Sequence, residues 1–194
     1  MNDHDPRSED YGRNIKLLMI SSTIIVSGSQ IILPYISLYW KIIGKTYIFV
    51  GILSSFTTLI QIFGFLISGS LSDKFGRKRI LFLGYILFSL TCLGFMFAQT
   101  LPLFALFFSL YGLTYALIDA NQRAYASDLL PEELRGSGLG VFHTLIGFAT
   151  LPASVIAGLL WQINPELTFM YGAVMSLIAS GLIGAWRIKT EKKL

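Results

Sequence analysis

A chain of 194 residues that is 54% hydrophobic and only 13% charged excludes an ordinary soluble domain, in which about a quarter of residues carry charge. Its net charge of +4 sits in short clusters between long apolar runs, which excludes the continuous basic face that nucleic-acid binding requires. The mean hydropathy is +0.65 and the single cysteine, Cys92, lies inside an apolar run, so the chain reads as lipid-facing, with no internal disulfide and no Cys/His metal site.

A helix needs about 20 mainly apolar residues to cross the hydrocarbon core. Six stretches reach that length: Leu17 to Tyr39, Tyr47 to Leu71, Ile80 to Ala98, Leu103 to Ala126, Leu139 to Trp161 and Leu167 to Trp186. Barrel strands would be about half as long and would alternate in polarity. The expected fold is therefore all-α, a polytopic membrane protein with six transmembrane helices. Residues 1–14 form a polar tail, 15–187 the membrane domain and 188–194 a second tail. The first apolar stretch is long for a signal-peptide core and no small-residue cleavage site follows it, so it is expected to be retained as a span. Connections are short: Lys41 to Thr46, Ser72 to Arg79, Gln99 to Pro102, Ser127 to Gly138 and Gln162 to Glu166. The fourth of these is expected to form a short interfacial helix, with Pro131 in its first turn, Glu132 and Glu133 at its positive end and Gly136 as its stop.

The basic residues set the orientation. Arg7, Arg13, Lys16, Lys74, Arg77, Lys78, Arg79, Arg135, Arg187, Lys189, Lys192 and Lys193 fall on one side, and only Lys41 and Lys45 on the other. The positive-inside rule places both termini in the cytoplasm, as an even number of spans demands. For a bacterial-type cell this is the inner (plasma) membrane. Trp40, Trp161 and Trp186 fall at span ends, where aromatic anchoring is expected.

The most informative stretch is Gly69-Ser70-Leu71-Ser72-Asp73-Lys74-Phe75-Gly76-Arg77-Lys78-Arg79. It sets one acid beside four bases at the ends of two helices. Gly69 would allow close helix approach, and Gly76 would allow a turn with positive φ. Asp73 can pair with a base or cap a helix. Such a cluster can latch helices in one conformation and release them in another. The stretch resembles the signature loop of the major facilitator superfamily, G-x-L-[SA]-D-[RK]-x-G-R-[KR]-[RK], between the second and third helices of a six-helix half. Gly69, Leu71, Ser72, Asp73, Lys74, Gly76, Arg77, Lys78 and Arg79 match its fixed positions. The run from Tyr111 through Asp119 and Arg123 to Gly136, with His143-Thr144 and Leu151-Pro152-Ala153, looks like the fourth and fifth helices of prokaryotic members. The first span, with Pro34 and Ser37-Leu38-Tyr39, looks like the opening of an N-terminal half. The resemblance covers residues 15 to 187. It implies a permease half built as a 3+3 helix bundle, working by alternating access with a second half or as a homodimer.

Polar residues inside the spans supply the candidate site. Tyr111, Tyr115, Asp119 and Arg123 recur every fourth residue, on one face of span four. A charge at mid-membrane costs about 3 kcal/mol on insertion scales, so such residues face a cavity or a partner. At 1.5 Å per residue from Leu103, Asp119 lies about 24 Å and Arg123 about 30 Å along the helix, toward the cytoplasm. Two readings stand: a gating ion pair near the signature loop, favoured by that depth, and a substrate or proton site. Thr23, Ser27 and Gln30 share a face of span one. The resemblance makes the first and fourth helices cavity-lining, so these three join Tyr111 and Tyr115 as cavity candidates. The alternative is that the hydroxyls bond only to their own or neighbouring helices. His143 begins span five and could couple protons with Asp119, although a lone histidine there also suits the interface. Gly172, Ser176, Ser180 and Gly184 form a ladder for close packing within the bundle or between subunits, and Pro34 and Pro152 are expected to bend their helices.

No catalytic constellation is visible, and neither a metal nor a cofactor is expected beyond proton coupling. The leading reading is an alternating-access secondary carrier for a small solute or drug, with the bilayer and a second half as partners. The rival readings are a transport-inactive remnant or membrane scaffold and, less favoured, a membrane enzyme, which would show clustered His, Asp or Ser motifs.

Overall fold

The computed structural model describes residues 6–29, 38 and 47–185, and among them every regular element is helical. In chain order these are α1 (Pro6–Ser29), α2 (Tyr47–Phe75), α3 (Arg77–Met96), α4 (Leu101–Asp128), a 3₁₀ turn (Glu132–Leu134), α5 (Arg135–Ile163) and α6 (Pro165–Ala185). Helices α2 to α6 are long and apolar enough to cross a membrane, and Leu18–Ser29 of α1 is a shorter apolar stretch. The second half of the first predicted span, with Gln30, Pro34 and Trp40, lies outside the described residues, as does Trp186. The helix α1 begins at Pro6, within the polar stretch that precedes the first apolar run.

The turns are tighter than their polarity suggests. Between α2 and α3 the connection shrinks to Gly76, whose φ of 89° is a conformation that glycine adopts without a steric penalty. Its N–H donates to the Ser72 carbonyl at 2.9 Å, closing α2 directly into α3. Asn164 alone separates α5 from α6. Its side chain accepts from the Glu166 N–H at 3.0 Å, an N-cap followed by Pro165 in the first helical position. The interfacial helix expected over Ser127 to Gly138 does not form as a separate element. Instead α4 runs to Asp128, a single 3₁₀ turn follows the extended Pro131, and α5 takes off at Arg135. Gly136 is inside α5, not at a stop, because Arg135 already has helical φ and ψ and the long apolar run of α5 continues the ladder.

The strongest pairings run α2 to α4, α4 to α3, α3 to α6 and α6 to α1, with α5 resting on α1 and α6. Small residues bring these helices together. A Cβ on Gly28 would lie 3.2 Å from the Gly172 Cα, so α1 and α6 meet nearly backbone to backbone. A Cβ on Gly112 would lie 2.8 Å from the Thr57 methyl and 2.9 Å from the Thr57 carbonyl. The ladder on α6 is spent inside the bundle: Gly172 faces α1, Ser176 Oγ donates to the Tyr85 carbonyl of α3, and Gly184 lies against Phe82. Gly69 departs from expectation. It is exposed, and a Cβ there would meet nothing within 4 Å, because α4 leans on α2 through Gly64 and Thr57 on another face.

Hydrogen bonds cross the same seams. Thr57 Oγ1 donates to the Phe108 carbonyl (3.2 Å), Ser89 Oγ to the Ala173 carbonyl (3.1 Å) and Thr168 Oγ1 to the Ala157 carbonyl (3.3 Å). Asn121 Nδ2 donates to Ser68 Oγ at 2.7 Å. At one end Phe95 sits among Phe104, Phe107, Phe108 and Phe169, with ring centroids 5.3 to 5.9 Å apart, a range that favours edge and offset contacts. The outer faces of α2 and α5 show Phe63, Leu66, Phe148, Leu151 and Leu159 to the surroundings, as lipid-facing helices do.

Gly112→Ala is therefore expected to destabilise the α2–α4 seam by about 1–3 kcal/mol through overpacking, read as a lowered thermal midpoint in detergent. Gly51→Ala, where a Cβ meets nothing, should leave the midpoint in place. Equal midpoints for both variants would show that α2 and α4 do not approach this closely.

Candidate functional site

The four-residue repeat on α4 turns Tyr111, Tyr115 and Asp119 to one side of the helix. There they line a small cleft with Val26 and Ser29 of α1, Phe88 of α3, and Ile118 and Gln122 of α4. Tyr111 is buried and packs against Phe88 at 6.3 Å between ring centroids. Gln122 is buried too, and its Nε2 donates to the Tyr85 hydroxyl at 2.9 Å. Ser21 and Ser22 flank that hydroxyl from α1. The floor of the cleft is thus tied to three helices.

Asp119 and Arg123 form the expected ion pair, Arg123 Nη2 to Asp119 Oδ1 at 2.9 Å, with side-chain exposures of 22% and 57%. The inequality is informative. Asp119 lies in the cleft wall, whereas Arg123 lies outside the lining and reaches back one turn to it. The second carboxylate oxygen, Oδ2, has no partner among the described residues. The other candidates on α1 sit elsewhere. Ser27 Oγ donates to the Ile24 carbonyl at 2.7 Å within its own helix, and neither Ser27 nor Thr23 lines the cleft. Gln30 lies outside the described residues. His143 is exposed on α5 and packs edge-on against Phe142, with centroids 5.5 Å apart.

Gln122, Phe88, Val26 and Ser29 belong to the cleft, although the four-residue repeat on span four does not pick them out. The adjacent amides Asn121 and Gln122 in an apolar span were the available signal, because an amide in hydrocarbon must find a partner.

The signature stretch lies at the joined ends of α2, α3 and α4. Arg77, the first residue of α3, pairs through Nε with Asp128 Oδ2, the last residue of α4, at 2.8 Å. Lys74 lies 5.5 Å from the neighbouring Phe75 ring. Asp73, Lys74 and Arg79 are exposed, Lys78 is half-buried, and Leu71 and Gly69 face outward. Asp73 has no ion-pair partner among the described residues. The acid that holds Arg77 is therefore on α4, not within the stretch itself.

Sequence comparison agrees with this architecture. Residues 18–194 match the family model of the Major Facilitator Superfamily. The chain belongs to the major facilitator superfamily. It is 50% identical over 115 residues to an uncharacterized MFS-type transporter of Methanocaldococcus jannaschii, covering 59% of this chain and 29% of that protein. It is 22% identical over 167 residues to the quinolone resistance protein NorA of Staphylococcus aureus, covering 86% of this chain and 43% of NorA. The chain spans about half the length of the curated relatives it matches. As a superfamily member it is a multi-pass membrane protein, and the bilayer is its solvent.

The Arg77–Asp128 tie spans two helix ends, so Arg77→Ala should loosen the Gly76 turn without unfolding the bundle. Both side chains are partly exposed, which limits the loss to about 0–1 kcal/mol. Faster amide exchange at Arg79 and Ile80, whose N–H groups bond to the Gly76 carbonyl, would report the loosening. Unchanged exchange would show that the pair holds nothing.

Proposed function

We propose that this chain is one six-helix half of an alternating-access secondary carrier that moves a small solute or drug, paired with a second half or a second copy of itself. Both termini are assigned to the cytoplasm of the inner (plasma) membrane, on the distribution of lysine and arginine. The observation that carries the reading is the cleft along α1, α3 and α4. Its lining includes a carboxylate, an amide and two phenols, all on α4, a helix long and apolar enough to cross a membrane. A lone ionised group facing lipid costs about 3 kcal/mol on insertion scales. A second six-helix body over this face would turn the cost into an enclosed polar chamber, with substrate near the junction of repeats. The likeness to NorA, a quinolone resistance protein, supports a drug-like solute, and efflux is the proposed direction.

Proton coupling belongs to the same proposal and is placed on Asp119, the carboxylate in the cleft wall, with His143 as a second titratable group on α5. The Arg77–Asp128 tie is assigned the role of a gate latch that holds the signature-turn ends of α3 and α4 together in one state. The rival reading is a transport-inactive remnant or membrane scaffold.

Solute flux in proteoliposomes containing the purified chain, with its mass in detergent measured in parallel, decides between them. Flux with a complex of at least two copies supports the carrier. Absence of flux from a stable monomer supports the remnant. Arg77→Ala should lower flux several-fold while membrane insertion is unchanged. Asp119→Asn should flatten the pH dependence of flux, and an unaltered pH profile would remove Asp119 from the coupling role.

A further inference from the structure

We propose that the Tyr85 hydroxyl is a two-position hydrogen-bond switch between the walls of the cleft, bonded to Gln122 of α4 in this conformation and to Ser22 of α1 in the other. The assignment rests on the carrier reading above and supplies a device by which the six-helix half changes state. Tyr85, Gln122 and Ser22 are positioning residues in it.

Ser22 is fully buried, and its Oγ has no hydrogen-bond partner among the described residues. A buried polar atom left unpaired asks for an explanation, most of all in a helix that water does not reach. Its neighbours Ser21 and Ser27 donate to carbonyls of their own helix. Ser22 does not follow them. The Leu18 carbonyl, four residues back, already takes the Ser21 hydroxyl at 3.0 Å and the helical N–H of Ser22, which fills both its lone pairs. Ser22 stands close to the Tyr85 hydroxyl but outside hydrogen-bonding geometry. The spacing from Ser22 to Val26 and Ser29 is four and then three residues, so Ser22 shares the face of α1 that lines the cleft. Tyr85 is a fixed post between the walls. Its carbonyl receives Ser176 Oγ, and one turn along the helix Ser89 Oγ donates to the Ala173 carbonyl, so α3 is held against α6. Gln122 reaches the post from α4 at 2.9 Å. When α4 draws back, the Gln122 amide remains in the cleft wall, where water or solute can satisfy it, and Ser22 Oγ donates to the phenol oxygen that it vacates. Each conformation then keeps one bond on the post, and neither leaves the Tyr85 oxygen unpaired. Exchange of like for like holds two states close in energy, as a two-state element requires.

Double electron–electron resonance tests this on the purified chain in lipid nanodiscs, with nitroxides at Ile20 of α1 and Ala124 of α4. Cys92 is buried and stays unlabelled. Two distances are expected, the shorter with Gln122 on the post. Ser22→Ala removes the alternative partner and should raise the ratio of shorter to longer about fivefold, the effect of one net hydrogen bond of average strength. Gln122→Ala should lower the ratio by a similar factor. Ser22→Thr keeps a hydroxyl and should match the parent chain. Tyr85→Phe removes the post from both states, so the ratio should stay near that of the parent, and Ser22→Ala added to it should change nothing. A merely structural role would lower thermal midpoints without moving the ratio in opposite directions. Should Gln122→Ala fail to fold, the comparison of Ser22→Ala with and without the Tyr85 hydroxyl decides. Shifts of the same sign in Ser22→Ala and Gln122→Ala, an unmoved ratio in Ser22→Ala, the same shift in the Tyr85→Phe background, or a single distance throughout would overturn the assignment. Flux measured on the parent chain keeps the two readings apart. Flux with an unmoved ratio defeats the switch alone, and opposed shifts without flux defeat the carrier alone.

Discussion

No water reaches the centre of a bilayer to satisfy a stray polar group, and that constraint organises this molecule. Backbone groups are satisfied within each helix. Polar side chains must then bond to their own helix or to a neighbour. Both solutions are present. Ser21, Ser27, Thr91 and Ser109 donate back to carbonyls three or four residues earlier. Thr57, Ser89, Thr168, Ser176 and Asn121 reach across a seam instead. Each crossing bond contributes only about 0.6–2 kcal/mol, but it has a direction. Apolar packing between lipid-like surfaces does not fix the rotation of one helix against another, and these bonds do. One of them, from Thr57 to the Phe108 carbonyl, lies where Gly112 lets the backbones of α2 and α4 come near.

The same rule explains why the cleft is polar on one wall and tethered behind. Gln122 faces α3 and gives its proton to Tyr85, whose own carbonyl receives Ser176 of α6. One residue of α3 therefore links α4 to α6, with Ser21 and Ser22 of α1 beside it. Displacing α4 would disturb contacts to three helices at once. Asp119, a turn away, lies on the cleft face, with Arg123 drawn back along the helix to meet it. The ion pair engages one oxygen of the carboxylate without filling the cleft.

Length and hydropathy make the spans legible, since few other folds need runs of about 20 apolar residues. Turns were harder to place. Ser72 to Phe75 and Gly136 to Gly138 look like loop by composition, yet their backbones are helical, because a helix in or near lipid gains more from closing its ladder than it loses to a weak helix former. The face of α4 was readable because Tyr111, Tyr115 and Asp119 repeat with one period. The face of α1 was not. Ser21, Ser22, Thr23, Ser27 and Ser29 point around much of the helix, and successive residues differ by about 100° of rotation. Composition cannot then tell that Val26 and Ser29 line the cleft while Ser27 bonds within its own helix. Nor can it tell that Arg77 finds its acid on α4, about fifty residues away in sequence, when Asp73 is near at hand.

The division of the two acids clarifies how the ends of the bundle are joined to its middle. Asp119 and Asp128 lie on one helix nine positions apart, about 13 Å along its axis. One belongs to the cleft and the other holds the start of α3. A rigid helix carries a rotation at one point to the other. A ligand that draws Asp119 away from Arg123 would therefore bias the Arg77–Asp128 tie with no contact to it. Linkage makes the effect reciprocal: whatever opens the tie must alter affinity in the cleft by the same factor. α4 thus carries an acid of each site, and Gly76 is the single residue that separates α2 from α3.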